Sequence, residues 1–142
     1  MPAYVIDASV LAALYVDDPG AAASEAALER LGRAGAELHA PDLALLEVAN
    51  VLWKRVRRDE LAGADAMSAI ADLSAAAIRL HPSVGLARSA LALALAHGVT
   101  AYDAAYLAVA TRIGGVVVSN DATLRHRAAE AGLPVTAPAD AL

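Results

Sequence analysis

The chain has 142 residues, the size of one domain with room for one substantial core. Its composition is 58% hydrophobic, rich in alanine and without cysteine, which excludes disulfides and thiolate metal sites. The formal net charge of −5 disfavours non-specific nucleic-acid binding by the surface as a whole.

Residues 3–6 read as a short buried strand. Asp7-Ala8-Ser9 then opens a helix with Val10, Leu11, Leu14 and Tyr15 on its apolar side, and Asp17-Asp18-Pro19-Gly20 breaks it. A second helix spans residues 21–33 with Leu28 and Leu31 inward, ending at Gly32 and Gly35. Residues 37–40 form a strand. Pro41-Asp42 starts the next helix, which runs through Glu47 to about Arg58. Another helix covers residues 61–75, and a strand at 78–81 is stopped by Pro82. The helix at 84–96 closes at His97-Gly98. A helix from Thr100 to Ala110 carries Asp103 in its first turn and faces a core with Tyr106, Leu107 and Ala110. A strand at 116–119, a helix at 122–131 and a weak strand at 134–136 follow, and the tail is expected to fray. Short apolar strands alternating with helices imply an α/β fold, with a parallel sheet covered on both faces.

The N-terminal residues lack a basic region and are too short an apolar run for a signal peptide. The apolar runs at 91–96 and 104–110 are far shorter than a membrane span. A soluble, cytoplasmic protein with no membrane partner is the expectation.

Several element boundaries carry an acid. Asp7 ends the first strand, Asp121 follows the strand at 116–119, and Asp103 opens the helix between them. Each has an ordinary explanation as a helix N-terminal residue, where a carboxylate satisfies free amides and the positive helix end. Thr100 and Asp103 also have capping-box spacing. Glu47 lies inside a helix and caps nothing. It shares a face with Leu43, Asn50, Val51 and Lys54 that reads as mostly buried. A glutamate there is a rim residue, an ion-pair partner of Lys54 or Arg55, or a group that needs another partner. Jointly the acids say more. Sites in parallel α/β sheets form beyond the carboxyl ends of strands, where Asp7 and Asp121 stand. Hard cations such as Mg²⁺ or Mn²⁺ take a few carboxylates plus water, a chemistry that Asp7, Glu47, Asp103 and Asp121 suit and zinc does not.

Val5-Ile6-Asp7-Ala8-Ser9, Glu47-Val48-Ala49-Asn50-Val51-Leu52, Thr100-Ala101-Tyr102-Asp103-Ala104-Ala105-Tyr106-Leu107-Ala108 and Ser119-Asn120-Asp121-Ala122-Thr123-Leu124 carry a resemblance in their order and spacing. Together they resemble the PIN-domain ribonucleases, and within them the VapC toxins of toxin–antitoxin pairs. The resemblance runs from the first strand to the last helix. It implies a three-layer α/β/α sandwich with a central parallel sheet, one PIN-like domain over residues 1–142, and an endoribonuclease dependent on Mg²⁺ or Mn²⁺. It also implies that Asp7, Glu47, Asp103 and Asp121 are the acidic cluster and that Ser9 and Asn120 stand beside the metal. An RNA substrate, an antitoxin protein and a homodimer follow from it. The helices at 42–58 and 61–75 are the expected contact surfaces, since they leave apolar area uncovered.

Lys54, Arg125 and Arg127 are candidate phosphate contacts, whereas Arg57 and Arg58 read as cations favourable at a helix C-terminus. Few aromatics are present for stacking, so a structured RNA recognised by shape and backbone is expected. His39, His81, His97 and His126 are scattered, with no metal-type pair at helical or hairpin spacing. Two rivals share the strand-then-acid pattern: a phosphatase that forms an aspartyl-phosphate on Asp7, and a non-enzymatic receiver-like module. The phosphatase pattern has a second acid where Ser9 stands, and both rivals use a late lysine, whereas no Lys follows Lys54. Finally, four carboxylates in one pocket repel each other, which predicts a raised pKa for at least one of them.

Overall fold

Five strands form one parallel sheet: β1 (Ala3–Ile6), β2 (Glu37–Pro41), β3 (Arg79–His81), β4 (Val116–Val118) and β5 (Val135–Thr136). Seven α-helices accompany them among the described residues: α1 (Ala8–Ala12), α2 (Ala21–Arg33), α3 (Leu43–Arg57), α4 (Gly63–Ser74), α5 (Ala87–His97), α6 (Ala101–Ile113) and α7 (Ala122–Glu130). The computed structural model describes residues 2–142. The architecture is the expected three-layer α/β/α sandwich, and the strands lie in the order β3-β2-β1-β4-β5. The chain builds outward from β1 in one direction, then returns to β1's other side through β4. The crevice between β1 and β4 is therefore the switch point at which such sheets place their sites.

The register follows from burial. Val5 pairs with His39 on one side and Val117 on the other, and Ile6 pairs with Val118. Val5, Ile6, Val117 and Val118 are all fully buried, as continuous apolar runs of a two-sided sheet should be. Gly115 leads into β4 where the chain passes close to β1. A Cβ there would stand 2.8 Å from the carbonyl oxygen of Ala3, so no side chain fits.

The helix α6 is the core element. It packs on β1, β2, β4 and α5, and every residue from Ala104 to Ala110 is buried. A helix buried all round carries no polar stripe. Its alanines let neighbouring backbones approach closely, and Gly98, at φ 66°, closes α5 just before it.

Several boundaries differ from those expected. Pro41 ends β2 instead of starting a helix. The Asp42 carboxylate does not cap α3 but accepts from the backbone N–H and the hydroxyl of Ser83, tying α3 to the chain after β3. The helix α1 stops at Ala12, leaving Leu14 exposed. The buried stripe of α3 is Ala44, Val48 and Leu52, one step round from the expected face, on which Asn50 and Lys54 are exposed. The tail does not fray. Pro138 and Ala141 are buried, and Nη2 of Arg30 donates to both their carbonyl oxygens, at 2.8 and 3.2 Å. Nor are the histidines all scattered: β2 and β3 bring Nδ1 of His39 to 2.9 Å from Nε2 of His81. Among the described residues no single helix is long and apolar enough to cross a membrane.

Candidate active site

Asp7, Ser9, Glu47, Asn50, Asp103 and Asp121 line one open cleft of about 320 Å³, at the switch point beyond β1 and β4. The structure thus brings together the four acids singled out from the sequence.

Asp7 is delivered by β1, and its backbone N–H extends the sheet to the Val118 carbonyl at 3.0 Å. It occupies the N-cap position of α1, yet its side chain makes no cap bond. Instead Oδ2 accepts from Ser9 Oγ at 2.6 Å and Ser119 Oγ at 2.9 Å. The side chain is thereby turned into the cleft, with the two hydroxyls and not a cap bond as its close partners. Burial pushes this carboxyl above its ordinary range, an effect that the two hydroxyls only partly offset.

Glu47 sits half-buried at the rim of the α3 stripe. Its partner is neither Lys54 nor Arg55, since Arg55 pairs with Asp18 and Glu60. Oε1 accepts from the Tyr106 hydroxyl at 2.7 Å. Burial raises its pKa, the Tyr106 bond opposes that, and the charges of Asp7 and Asp103 add to it.

Asp103 lies half-buried in the first turn of α6. Its amide donates to Thr100 Oγ1 at 3.1 Å, so Thr100 caps the helix. The carboxyl is pushed up by burial, then by the charges of Asp7 and Asp121. Asp121 is the exposed member, and for it the ordinary explanation holds geometrically. Oδ1 accepts from the amides of Thr123 and Leu124, at 2.9 and 3.1 Å, and so caps α7.

Two side chains behind the cleft were not legible as site residues. Tyr106 reads as core by its helical spacing, and its ring is fully buried. Its hydroxyl accepts from the Ala8 amide at 3.2 Å while donating to Glu47. The available signal was the phenol itself, which needs a partner when buried. Ser119, also fully buried, donates to Asp7 and accepts from the Asp121 amide at 3.0 Å. A lone hydroxyl after three valines was the clue to it.

The other expected site residues divide. Ser9 is on the cleft wall. Asn120 is not: its side-chain amide donates to Ser24 Oγ at 2.8 Å and the Ser9 carbonyl at 3.3 Å, holding α1 and α2 together. Arg125 donates to the Ser119 carbonyl at 2.8 Å. Lys54 lies beside the cleft, on the next depression along α3.

The donors suit a hard divalent ion. All are oxygens, and among the described residues no Lys or Arg pairs with any of the four acids. Desolvated carboxylates without a counter-charge are an unstable arrangement that a cation neutralises. As they stand, no three of the described His, Asp or Glu side chains converge closely enough to hold a metal ion. The four acids line an open cleft, where water would have to supply much of the shell of an ion such as Mg²⁺.

The sequence matches the family model of the PIN domain over residues 4–130. The chain belongs to the PIN-domain family. This PIN domain is 42% identical over 125 residues to ribonuclease VapC3 of Pyrobaculum aerophilum, spanning 87% of this chain and 92% of that protein. It is 32% identical over 132 residues to ribonuclease VapC9 of Mycobacterium tuberculosis, spanning 93% and 95% respectively. Among solved structures, PAE2754 of Pyrobaculum aerophilum has a TM-score of 0.66 at 28% identity, over 89% of this chain and 79% of that one.

Proposed function

We propose that this PIN domain is the toxin of a toxin–antitoxin pair, an endoribonuclease that hydrolyses RNA phosphodiester bonds in the acidic cleft. The observation that carries the proposal is the cleft's charge. Asp7, Glu47 and Asp103 are all partly or fully desolvated with raised pKa values, and among the described residues no cationic side chain pairs with them. The relatives named as ribonucleases, at 42% and 32% identity, support the reaction type.

Asp7, Glu47 and Asp103 are the residues that would hold Mg²⁺ or Mn²⁺, with Asp121 joining directly or through water. A bound ion supplies charge for the scissile phosphate and lowers the pKa of a coordinated water. The chain's own residues set the stage. Ser9 and Ser119 fix the Asp7 carboxylate through its Oδ2, and Tyr106 fixes Glu47 through Oε1. A carboxylate with a raised pKa is a better base for the proton of an attacking water, which suits Glu47 and Asp103 to that role. The phosphatase and receiver rivals lose ground here, because Ser9 fills the place of a second acid and no lysine lines the cleft.

The partner is proposed to dock between α3 and α4. Ala49, Trp53, Val56, Ala66, Met67 and Ile70 line an almost wholly apolar groove of about 400 Å³. Met67 is 70% exposed, so the groove lies open to solvent. An apolar helix face is the occupant such a groove accepts, and an antitoxin segment is the proposed source. Self-association is proposed through α5, where Leu91 and Leu95 stand exposed.

Incubating the purified chain with cellular RNA, Mg²⁺ and a chelator control tests the activity. Cleavage that the chelator stops, and that Asp7→Asn abolishes, is the expected result. Intact RNA, with phosphate release from a small monoester instead, would transfer the protein to the phosphatase class.

A further inference from the structure

Beside the acidic cleft, the last turn of α3 carries a concentration of cations that the cleft itself does not use. Trp53, Lys54, Arg57 and Arg58 line a shallow depression of about 340 Å³. It adjoins the cleft along the helix, because Asn50 and Val51, one turn earlier, are cleft-wall residues. Helical geometry aligns the two. Lys54 lies seven residues after Glu47, two turns on and within about 20° of the same face. It stands about 10 Å along the axis from Glu47, and Arg58 about 6 Å further.

The chain's other cations are mostly engaged. Arg33, Arg55 and Arg79 form ion pairs with carboxylates. Arg30, Arg112 and Arg125 donate to backbone carbonyls. Among the described residues Lys54, Arg57, Arg58, Arg88 and Arg127 have neither kind of partner, and Lys54, Arg57 and Arg58 fall within one turn of each other. Asp59, the nearest acid in sequence, forms no ion pair with them. On a protein of net charge −5, such a cluster is where a polyanion is drawn. Arg57 is also pre-ordered: its guanidinium carbon lies 5.0 Å from the centroid of the half-exposed Trp53 ring. A guanidinium plane held on an aromatic ring is a surface on which a nucleobase stacks. A favourable helix dipole accounts for tolerating cations here, but not for seating one of them on Trp53, which also lines the α3–α4 groove.

We infer that the C-terminal turn of α3 is a second RNA subsite, where Lys54 and Arg58 hold phosphates flanking the scissile one and Arg57, seated on Trp53, stacks a base. This rests on the ribonuclease reading of the cleft. It replaces the helix-end reading of Arg57 and Arg58, and it adds one stacked base to the shape-and-backbone recognition that the few aromatics imply.

The test is binding of a fluorescein-labelled mixed-sequence RNA across a salt series, in an Asp103→Asn background so that the RNA survives. Lys54→Gln with Arg58→Gln should weaken binding about tenfold. It should also flatten the slope of log affinity against log salt by about 1.4, or about 0.7 for each single-strand phosphate that is no longer neutralised. Trp53→Leu should weaken binding by about tenfold, as loss of a stacked base does, with little change of slope. Arg88→Gln removes one charge from α5, half of what the double variant removes, outside both depressions, and serves as the control. Melting curves report that each variant is folded, and all four positions are exposed enough for that to be expected. Unchanged affinity and slope in the double variant overturn the subsite alone. A loss of log affinity in Arg88→Gln that is half that of the double variant also overturns it, because net charge would then be the cause. A parent protein that binds no RNA overturns both the subsite and the ribonuclease reading.

Discussion

The hydroxyl of Tyr106 is shared between the Ala8 amide, from which it accepts at 3.2 Å, and Oε1 of Glu47, to which it donates at 2.7 Å. One buried phenol thus links the start of α1, beside Asp7, to an acid 59 residues away in sequence. Tyr106→Phe keeps the ring and deletes the link. It strands a buried amide, which costs about 1–3 kcal/mol, and frees the Glu47 carboxylate to wander. The melting temperature should fall by several degrees. Cleavage should fall further than stability explains, with the rate's acidic limb moving to higher pH as Glu47 loses a donor to its charged form. A variant with wild-type rate and pH profile would reduce Tyr106 to a packing residue.

Asp103 and Asp121 should respond oppositely to neutralisation. In the fold Asp103 has a pKa above its free value of 3.8, and Glu47 one above 4.5. Between the free and folded values the native state therefore binds more protons than the unfolded chain. Stability falls as pH rises through that window, and the penalty is complete above it. Asp103→Asn removes part of the penalty and leaves the Thr100 cap in place. In EDTA at neutral pH it should melt at or above wild type, while gaining less from added Mn²⁺. Asp121→Ala deletes a cap accepting from two amides and should lose about 1 kcal/mol in EDTA. Paired thermal melts with EDTA and with Mn²⁺ decide the matter. An Asp103→Asn protein melting well below wild type in EDTA, with no metal response in either, would dismiss the acidic-cluster proposal.

Strand and helix order were legible because each element carries its own period and its own Gly or Pro punctuation. The four acids were legible as a set because Asp7 and Asp121 end apolar strands, which topology places side by side. What was not legible depended on distant chain. The stripe on α3 was misplaced by one step, since Asn50 and Lys54 are as compatible with a helix rim as with a core. Tyr106 and Ser119 revealed their polar roles only when folding brought Glu47 and Asp7 to them. Burial, not mutual repulsion, proved the first cause of the raised carboxyls, and burial is a property of the whole fold. The tail was expected to fray because nothing local marks Arg30 as its anchor.

The α3–α4 groove yields a prediction about the partner. Met67 is exposed and carries no hydrogen bond, so Met67→Glu should cost the isolated chain little. In the groove it buries a charge against apolar atoms, and binding of the proposed antitoxin partner should fall at least tenfold. RNA cleavage in the absence of antitoxin should persist. Calorimetric titration measures the first and a gel assay the second. Full antitoxin affinity in Met67→Glu would move the docking surface elsewhere.

The last prediction concerns the imidazole pair between β2 and β3. Nδ1 of His39 and Nε2 of His81 stand 2.9 Å apart, a separation with room for one proton between them. The surrounding charges are Glu37, whose Oε1 is 3.6 Å from Nε2 of His39, then Arg79, bound to Glu37, and Arg112 near His81. Burial lowers the His81 pKa below 6.5, helped by His39 and Arg112. The unfolded chain therefore binds a proton that the fold rejects. Between the folded value and 6.5 the unfolded state holds more protons, so this pair's contribution to stability is complete above 6.5 and shrinks as pH falls below it. His81→Gln loses the bond and should be less stable than wild type by about 1 kcal/mol well above that pH. It also loses the titration, so the gap should narrow steadily on acidification. The raised carboxyls of the cleft work in the opposite sense, but they are common to both proteins and cancel in the difference. Denaturant titrations of the two proteins over a pH series measure that gap. A gap that stays constant, or widens as the pH drops, would show that the pair does not reject the proton.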